Sequence, residues 1–194
     1  MASNMAAMAK KSEELALVER FRRGDDSAFD GIVEKHSAAI AALANRLLGW
    51  PQDVEDIVQD VFVAAFTGLK TFRGDCHLRT WLFTITINRC RSYRYRRILR
   101  LRRTPLDDAV PAPARGRNAE EAAMATETFD RIRRAVRALP AKYREVVVLR
   151  YLQQLETNEI CEILGISPNT MQVRLNRARK HLREDLAQLI EGKS

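Results

Sequence analysis

Cysteine, tryptophan and histidine are scarce in this chain of 194 residues, at three, two and three residues. Cys76, Cys90 and Cys161 are too few and too scattered for a disulfide framework, which excludes a disulfide-stapled secreted domain and favours free thiols in a reducing cytoplasm. Cys76 stands beside His77 but lacks the paired spacing of a zinc site, leaving redox or metal sensitivity there as the minor alternative. No apolar stretch approaches the length of a membrane span, and Lys10 and Lys11 follow the short Ala/Met run at the N-terminus, the reverse of a secretory signal. The expectation is therefore no membrane insertion. Nor does any motif supply a phosphate loop, a metal-carboxylate cluster or a nucleophile beside its base, so no catalytic residue, cofactor or metal is expected.

What the chain has in quantity is positive charge. Lys+Arg number 33 against 25 Asp+Glu, a net charge of +8, which favours a polyanionic partner without choosing among DNA, RNA, an acidic protein and an anionic membrane. The length suffices for one or two domains of about 100 residues each.

The stretch from Thr157 to Leu182, TNEICEILGISPNTMQVRLNRARKHL, reads as two helices joined by a tight turn. Ile160, Ile163 and Leu164 recur at helical spacing, and Gly165 stops the first helix. Ser167 is a capping type for the second, with Pro168 at its first position, where a missing N–H costs nothing. Met171, Leu175, Ala178 and Leu182 make a buried stripe on that helix, and Asn169, Gln172, Val173, Asn176, Arg177 and Lys180 occupy the opposite face. An apolar back, an amide- and cation-rich front and a short Gly-containing turn have the form of a helix-turn-helix recognition helix. Amides pair with adenine edges, and cations with guanine or phosphate. A solvated amphipathic helix of an all-α protein shares part of this pattern, and the rest of the chain weighs against it.

In chain order, Glu13 to Arg22 predicts a short amphipathic helix ended by Gly24. Ala28 to Leu48 predicts another, with a possible irregularity near His36 and Ser37 and with His36 in a structural role. Gly49 closes it, and Pro51 opens the next. In that helix Val54, Ile57, Val58, Val61, Phe62, Ala65, Phe66 and Leu69 form the clearest apolar stripe of the chain. Asp53, Asp56 and Asp60 flank Gln59 on its exposed face. Acid in a first turn often only complements the helix dipole. Asp60 lies beyond that turn, and an acidic face on a basic protein suggests a partner protein bearing positive charge. Lys70 to His77 reads as a loop around Gly74.

From Leu78 onward the spacing is helical, although the Thr/Ile run has some strand propensity. Eight arginines from Arg89 to Arg103 then follow without one acid, interleaved with Tyr93 and Tyr95. Such a run repels itself, which makes it a candidate for binding phosphate, with aromatic rings to stack on bases; the plainer reading is a solvated basic face. Pro105, Pro111 and Pro113 mark 104–119 as a linker. A helix is predicted from Glu120 to Leu139, and a further one after Pro140, whose Val146, Val147, Leu149 and Leu152 pack on the helical hairpin. The fold class expected is all-α, divided as an N-terminal segment 1–24, a first domain 25–103, the linker 104–119 and a second domain 120–194.

Taken together, DVEDIVQDVFVAAF, FRGDCHLRTWLFTITINRCR and LPAKYREVVVLRYLQQLETNEICEILGISPNTMQVRLNRARKHLRE resemble, in order and over nearly the whole chain, an extracytoplasmic-function (ECF) sigma factor of the sigma-70 family. The resemblance implies a non-enzymatic transcription initiation factor with sigma regions 2 and 4, which joins RNA polymerase core and directs it to promoters. It places Asp53, Asp56, Gln59, Asp60 and Phe62 in the helix that meets the clamp helices of the largest polymerase subunit, with the flap of the second subunit as a further contact. The linker, with Asp107 and Asp108, would run towards the active-site channel.

By the same resemblance, Phe72, Arg73, Asp75, Cys76 and His77 form the minus-ten specificity loop, where a flipped base is held against a cost of a few kcal/mol. Arg79, Trp81, Asn88, Arg89, Arg91, Tyr93 and Arg94 follow as further promoter contacts, Trp81 equally placed to be core. Asn169, Gln172, Val173 and Asn176 would read minus-thirty-five bases, and Arg174, Arg177 and Arg179, with Ser167, Thr170 and Lys180 alongside, would contact that element. His77 stands where this helix often begins with a small capping residue, and Gln172 with Val173 replaces a common Lys-Ser pair, so the promoter sequence does not transfer. An anti-sigma protein is an expected partner. The competing reading is an autonomous helix-turn-helix regulator bound to operator duplex, which needs neither the acidic helix nor the arginine-rich segment.

Overall fold

The computed structural model describes residues 2–49, 53–103 and 120–191, with side chains described for 12–49, 53–100 and 129–187. Within them the structure is all-α, and no strand occurs among the described residues. The helices are α1 (Ala2–Arg22), α2 (Ser27–Leu48), α3 (Val54–Gly68), α4 (Leu78–Arg103), α5 (Glu120–Ala138), α6 (Ala141–Val147), α7 (Thr157–Leu164) and α8 (Pro168–Glu191). The chain divides into two compact units, Met1–Asn45 with Pro51–Arg94, and Arg46–Trp50 with Tyr95–Ser194.

In the first unit, Ile32, Ile40 and Leu43 of α2, Ile57, Val61 and Ala65 of α3, and Leu82, Phe83 and Ile87 of α4 are all buried. α1 begins well before the predicted Glu13, as its Ala, Met, Lys and Glu residues are strong helix formers. α2 runs unbroken through His36, which is buried with Glu14 of α1, 3.6 Å away, across from it. The predicted irregularity is therefore absent. Pro51 lies outside the described residues, and α3 is described from Val54. After Gly68 a single turn of 3-10 helix, Leu69–Thr71, leads into the loop. α4 overrides the strand propensity of its Thr/Ile run because Leu78, Leu82, Phe83 and Ile87 are buried along one helical face; within it Thr84 donates to the Thr80 carbonyl at 3.0 Å and Thr86 to that of Leu82 at 2.8 Å. The proline-rich linker lies outside the described residues.

In the second unit, α8 packs against α5, α6 and α7, burying Met171, Leu175 and Ala178 against Leu139, Val146, Leu149, Ile160 and Ile163. The helix predicted after Pro140 changes character at Val148, where it widens into a π-helical segment, Val148–Leu152, closed by Gln153 N–H donating to the Val148 carbonyl at 2.9 Å. Arg144 donates to the Arg137 carbonyl and, at 3.0 Å, to that of Leu139, so a cation caps the end of α5.

Candidate nucleic-acid and protein interfaces

α3 presents its acids outward. Asp56, Gln59 and Asp60 are exposed and Asp53 is half-buried at the helix start. Beside them an apolar groove of about 410 Å³ runs between α2 and α3, walled by Ser37, Ala38, Ala41, Val54 and Val58 with Glu55 and Gln59 on its rim. Phe62 lies on the same helix with only 8 % of it exposed, and its ring packs edge-on to Phe29 at 6.2 Å. It supports the acidic face from behind. The same aromatic cluster continues through Phe21 to Phe66, which is 40 % exposed beside Val63 at 62 %.

The loop after α3 turns at Gly74, whose φ of 77° is left-handed. A Cβ there would come within 2.9 Å of Leu15 of α1. Arg73, Asp75 and His77 are exposed, and Cys76 is half-buried and forms no disulfide. Phe72 is buried, its ring 5.2 Å from that of Trp81. Trp81 in turn lies so close to Gly68 that a Cβ on that glycine would sit 2.8 Å from its ring. The pair forms a floor under the loop, because two rings in tilted contact, 45° between their planes, exclude water from its base. No group of three or more potential metal ligands occurs among the described residues.

Beyond the loop, Arg79 holds its guanidinium 4.9 Å over the Phe83 ring. Asn88 and Arg89 are exposed, while Arg91, Tyr93 and Arg94 are half-buried. Cys90 between them is buried. The loop residues and the first turns of α4 thus belong to one unit and adjoin one another in the chain.

The helix-turn-helix is built by local chemistry. Glu156 and Glu159 form a reciprocal capping box at the start of α7, Glu156 N–H donating to Glu159 at 2.9 Å. At its end Gly165 is left-handed (φ 64°, ψ 43°), and Ile166 N–H donates to the Cys161 carbonyl at 3.1 Å, a Schellman turn. Ser167 then accepts from Thr170 N–H at 3.2 Å and caps α8. Asn169, Gln172, Val173, Asn176, Arg177, Arg179 and Lys180 are exposed, and Thr170 and Arg174 half-buried. Gln172 donates to Asn176 at 3.3 Å, aligning two amides one turn apart.

Three residues here went unassigned in the sequence. Tyr143 of α6 accepts from Arg177 at 3.5 Å, and Tyr151 of the π segment accepts from Arg179 through Nη2 at 2.6 Å and Nε at 3.0 Å. The Arg177 hydrogen bond, aided by the nearby Lys142 charge, holds the Tyr143 phenol below its usual pKa, against the opposing effect of burial. Lys142 and Tyr143 join Asn169, Thr170, Val173, Arg174 and Arg177 around a hollow of about 240 Å³ at the head of α8. The hollow is cationic and opens on the face that carries the amides. The sequence offers one signal for Tyr143 and Tyr151, their place in a helix packed against α8, but no signal for which arginine each would meet.

Comparison with known proteins follows the same division. Residues 32–100 match the family model described as Sigma-70 region 2, and residues 129–182 that of Sigma-70, region 4. ECF RNA polymerase sigma factor SigW of Bacillus subtilis (strain 168) is 31 % identical over 186 residues, covering 89 % of this chain and 96 % of that protein. ECF RNA polymerase sigma-E factor of Escherichia coli (strain K12) is 30 % identical over 193 residues, covering 94 % and 99 %. Among solved structures, CnrH in complex with the cytosolic domain of CnrY superposes with a TM-score of 0.65 at 29 % identity, over 94 % of this chain and 99 % of that one.

Proposed function

The chain belongs to the ECF sigma factors of the sigma-70 family, and on that footing we propose how it divides the work of promoter-directed transcription among its surfaces. As a sigma factor it binds RNA polymerase core and directs it to promoters, a task of binding and positioning in which it does no catalysis, and its place of action is the cytoplasm, where polymerase is.

The observation that carries the assignment is the separation of charge within the first unit. α3 exposes Asp56, Gln59 and Asp60 beside an apolar groove, while α4, one loop away, carries its arginines with no acid. An acidic rim around an apolar groove suits a basic amphipathic helix pair such as the polymerase clamp helices. Phe62 acts from beneath. The acid-free helix and the loop Arg73 to His77 suit the melted promoter strand, with phosphates held by Arg89, Arg91 and Arg94 and a base accepted at the loop over the Phe72–Trp81 floor. In the second unit Asn169, Gln172, Val173 and Asn176 read bases in the major groove, and Arg174, Arg177, Arg179 and Lys180 hold phosphates. Dividing the chain as 25–103 for core and minus-ten binding and 120–194 for minus-thirty-five binding follows from this reading. CnrH is solved with a separate protein's cytosolic domain, and an anti-sigma protein is proposed as the regulator here.

The test is run-off transcription with purified core polymerase on DNA from the protein's own gene neighbourhood, comparing the natural chain with Asp56→Arg. Asp56 is exposed, so reversing its charge leaves folding intact. Promoter-specific transcripts that disappear with Asp56→Arg place core binding on α3. Transcripts that persist undiminished reject that placement. Salt-sensitive duplex binding by the protein alone, with no transcripts, would move the reading to an autonomous regulator.

A further inference from the structure

Arg22, the last residue of α1, lies outside every surface assigned above, yet its guanidinium is committed on all three nitrogens. Nε donates to the Leu69 carbonyl at 3.2 Å, Nη2 donates to the Phe72 carbonyl, and Nη1 meets Glu19 Oε1 at 2.6 Å. Leu69 and Phe72 bracket the 3-10 turn between α3 and the loop: Phe72 N–H donates back to the Leu69 carbonyl at 3.3 Å, and Phe72 itself is extended (φ −66°, ψ 117°). Arg22 therefore grips the chain on both sides of the point at which it leaves helical geometry.

Those carbonyls stand at the C-terminal end of a helix, where the dipole favours a cation and a carbonyl oxygen, with two lone pairs, can take a side-chain donor beside any backbone one. A planar guanidinium can bridge two acceptors with a fixed angle between them, which a lysine ammonium cannot. Glu19, one turn earlier on α1, fixes the rotamer from behind. The same helix meets the loop again at Gly74, where Leu15 leaves no room for a Cβ. Two contacts from α1, one polar at the loop's start and one apolar under its turn, set the loop's position relative to the Phe72–Trp81 floor.

We propose that Arg22 is a positioning residue for promoter melting: by holding the Leu69 and Phe72 carbonyls it presents Arg73, Asp75 and His77 in the arrangement that accepts the melted strand, while touching no DNA itself. This rests on the loop's role given above. A loop released at its start must be ordered anew on each binding event, and that ordering cost appears as weaker capture of the open strand.

The experiment uses holoenzyme assembled from the full chain and core polymerase, on a promoter selected by the natural holoenzyme from a randomised duplex library. Opening is read as permanganate reactivity of the melted thymines, and core affinity and duplex capture are measured separately. Losing two charge-assisted hydrogen bonds predicts that Arg22→Gln lowers the opened fraction about tenfold. Core affinity and capture of the closed duplex should stay within about twofold, as surface substitutions away from those contacts change little. Arg22→Lys should fall between, keeping the charge but losing the bridge. Should Arg22→Gln fail to fold, Glu19→Gln is the second probe. It frees the guanidinium from behind and should lower opening about two- to threefold, the size of one modest hydrogen bond.

Unchanged opening with Arg22→Gln, or with Glu19→Gln as its substitute, overturns the proposal. So does an equal fall in core affinity and opening, which marks a general structural role. Arg73→Ala separates the two readings. If it abolishes strand capture while Arg22→Gln does not, the loop's role stands and the positioning role fails; if neither matters, the loop's role fails as well.

Discussion

Substitution at Gly165 offers a direct measure of how the turn of the helix-turn-helix is held. The residue is left-handed at φ 64°, and a Cβ built on it meets nothing within 4 Å. Any cost of substitution must therefore come from the backbone and not from a clash. An L-residue in this region costs about 1–2 kcal/mol, and alanine recovers about 0.4–1 kcal/mol of that by stiffening the unfolded chain. The net for Gly165→Ala is about 1 kcal/mol, or a fall in Tm of about 4–8 °C for a unit of this size. Gly165→Asn should cost less, since a short polar side chain tolerates the conformation, and Gly165→Val more, because a β-branched residue there is a true outlier. Thermal unfolding of the full chain followed by circular dichroism should give the order Gly, Asn, Ala, Val. An alanine variant as stable as the natural protein, or a valine variant no worse than asparagine, would refute the reasoning.

Tyr151→Phe removes the acceptor of two hydrogen bonds from Arg179. Both groups are exposed, so stability should move by no more than about 0.5 kcal/mol. Minus-thirty-five duplex affinity should fall about two- to fivefold, with Arg179→Ala lowering the salt slope by about one; fluorescence anisotropy across a salt series decides it. Tyr143 carries a pH signature. Its folded pKa is depressed chiefly by Arg177, so its stabilising contribution is present above the unfolded pKa and lost as pH falls through the folded value, leaving none at neutral pH. Duplex binding responds in the opposite sense. A phenolate beside Arg174 and Arg177 offsets their charge, so affinity should fall on the alkaline side below the usual tyrosine range, and Tyr143→Phe should abolish that step; identical profiles would reject it. Gly68→Ala puts a Cβ 2.8 Å from the Trp81 ring, at an overpacking cost of about 1–3 kcal/mol against a gain of about 1 kcal/mol in helix propensity. A lower Tm with altered tryptophan fluorescence is expected, and a stabilised variant would show that the ring yields freely.

The helix-turn-helix was legible because its punctuation is local. Gly165, Ser167 and Pro168 fall within four positions and each has one structural use there. α3 was legible from its apolar period alone. The contacts that escaped sequence reading are those between distant positions. Arg22 finds its two carbonyls 47 and 50 residues away, and Arg179 reaches Tyr151 across 28. No periodicity encodes which acceptor a long flexible side chain will reach. The burial of Phe62 and Phe72 was not legible for a related reason: resemblance assigned them a role by motif, whereas burial depends on neighbours such as Phe29 and Trp81 that only the packed unit supplies. The extended α1 illustrates a third limit, since an apolar stripe marks the part of a helix that packs and says nothing of where the helix begins.

The widened turn at Val148–Leu152 has a bearing on how the arginine of α8 is met. A helix closed by a bond to the fifth residue back holds one residue more than an α-helical turn needs. Deleting one residue, so that the turn closes as ordinary α-helix, would rotate one side of the segment by about 100° around the axis relative to the other, and the aim of Tyr151 at Arg179 depends on that extra residue.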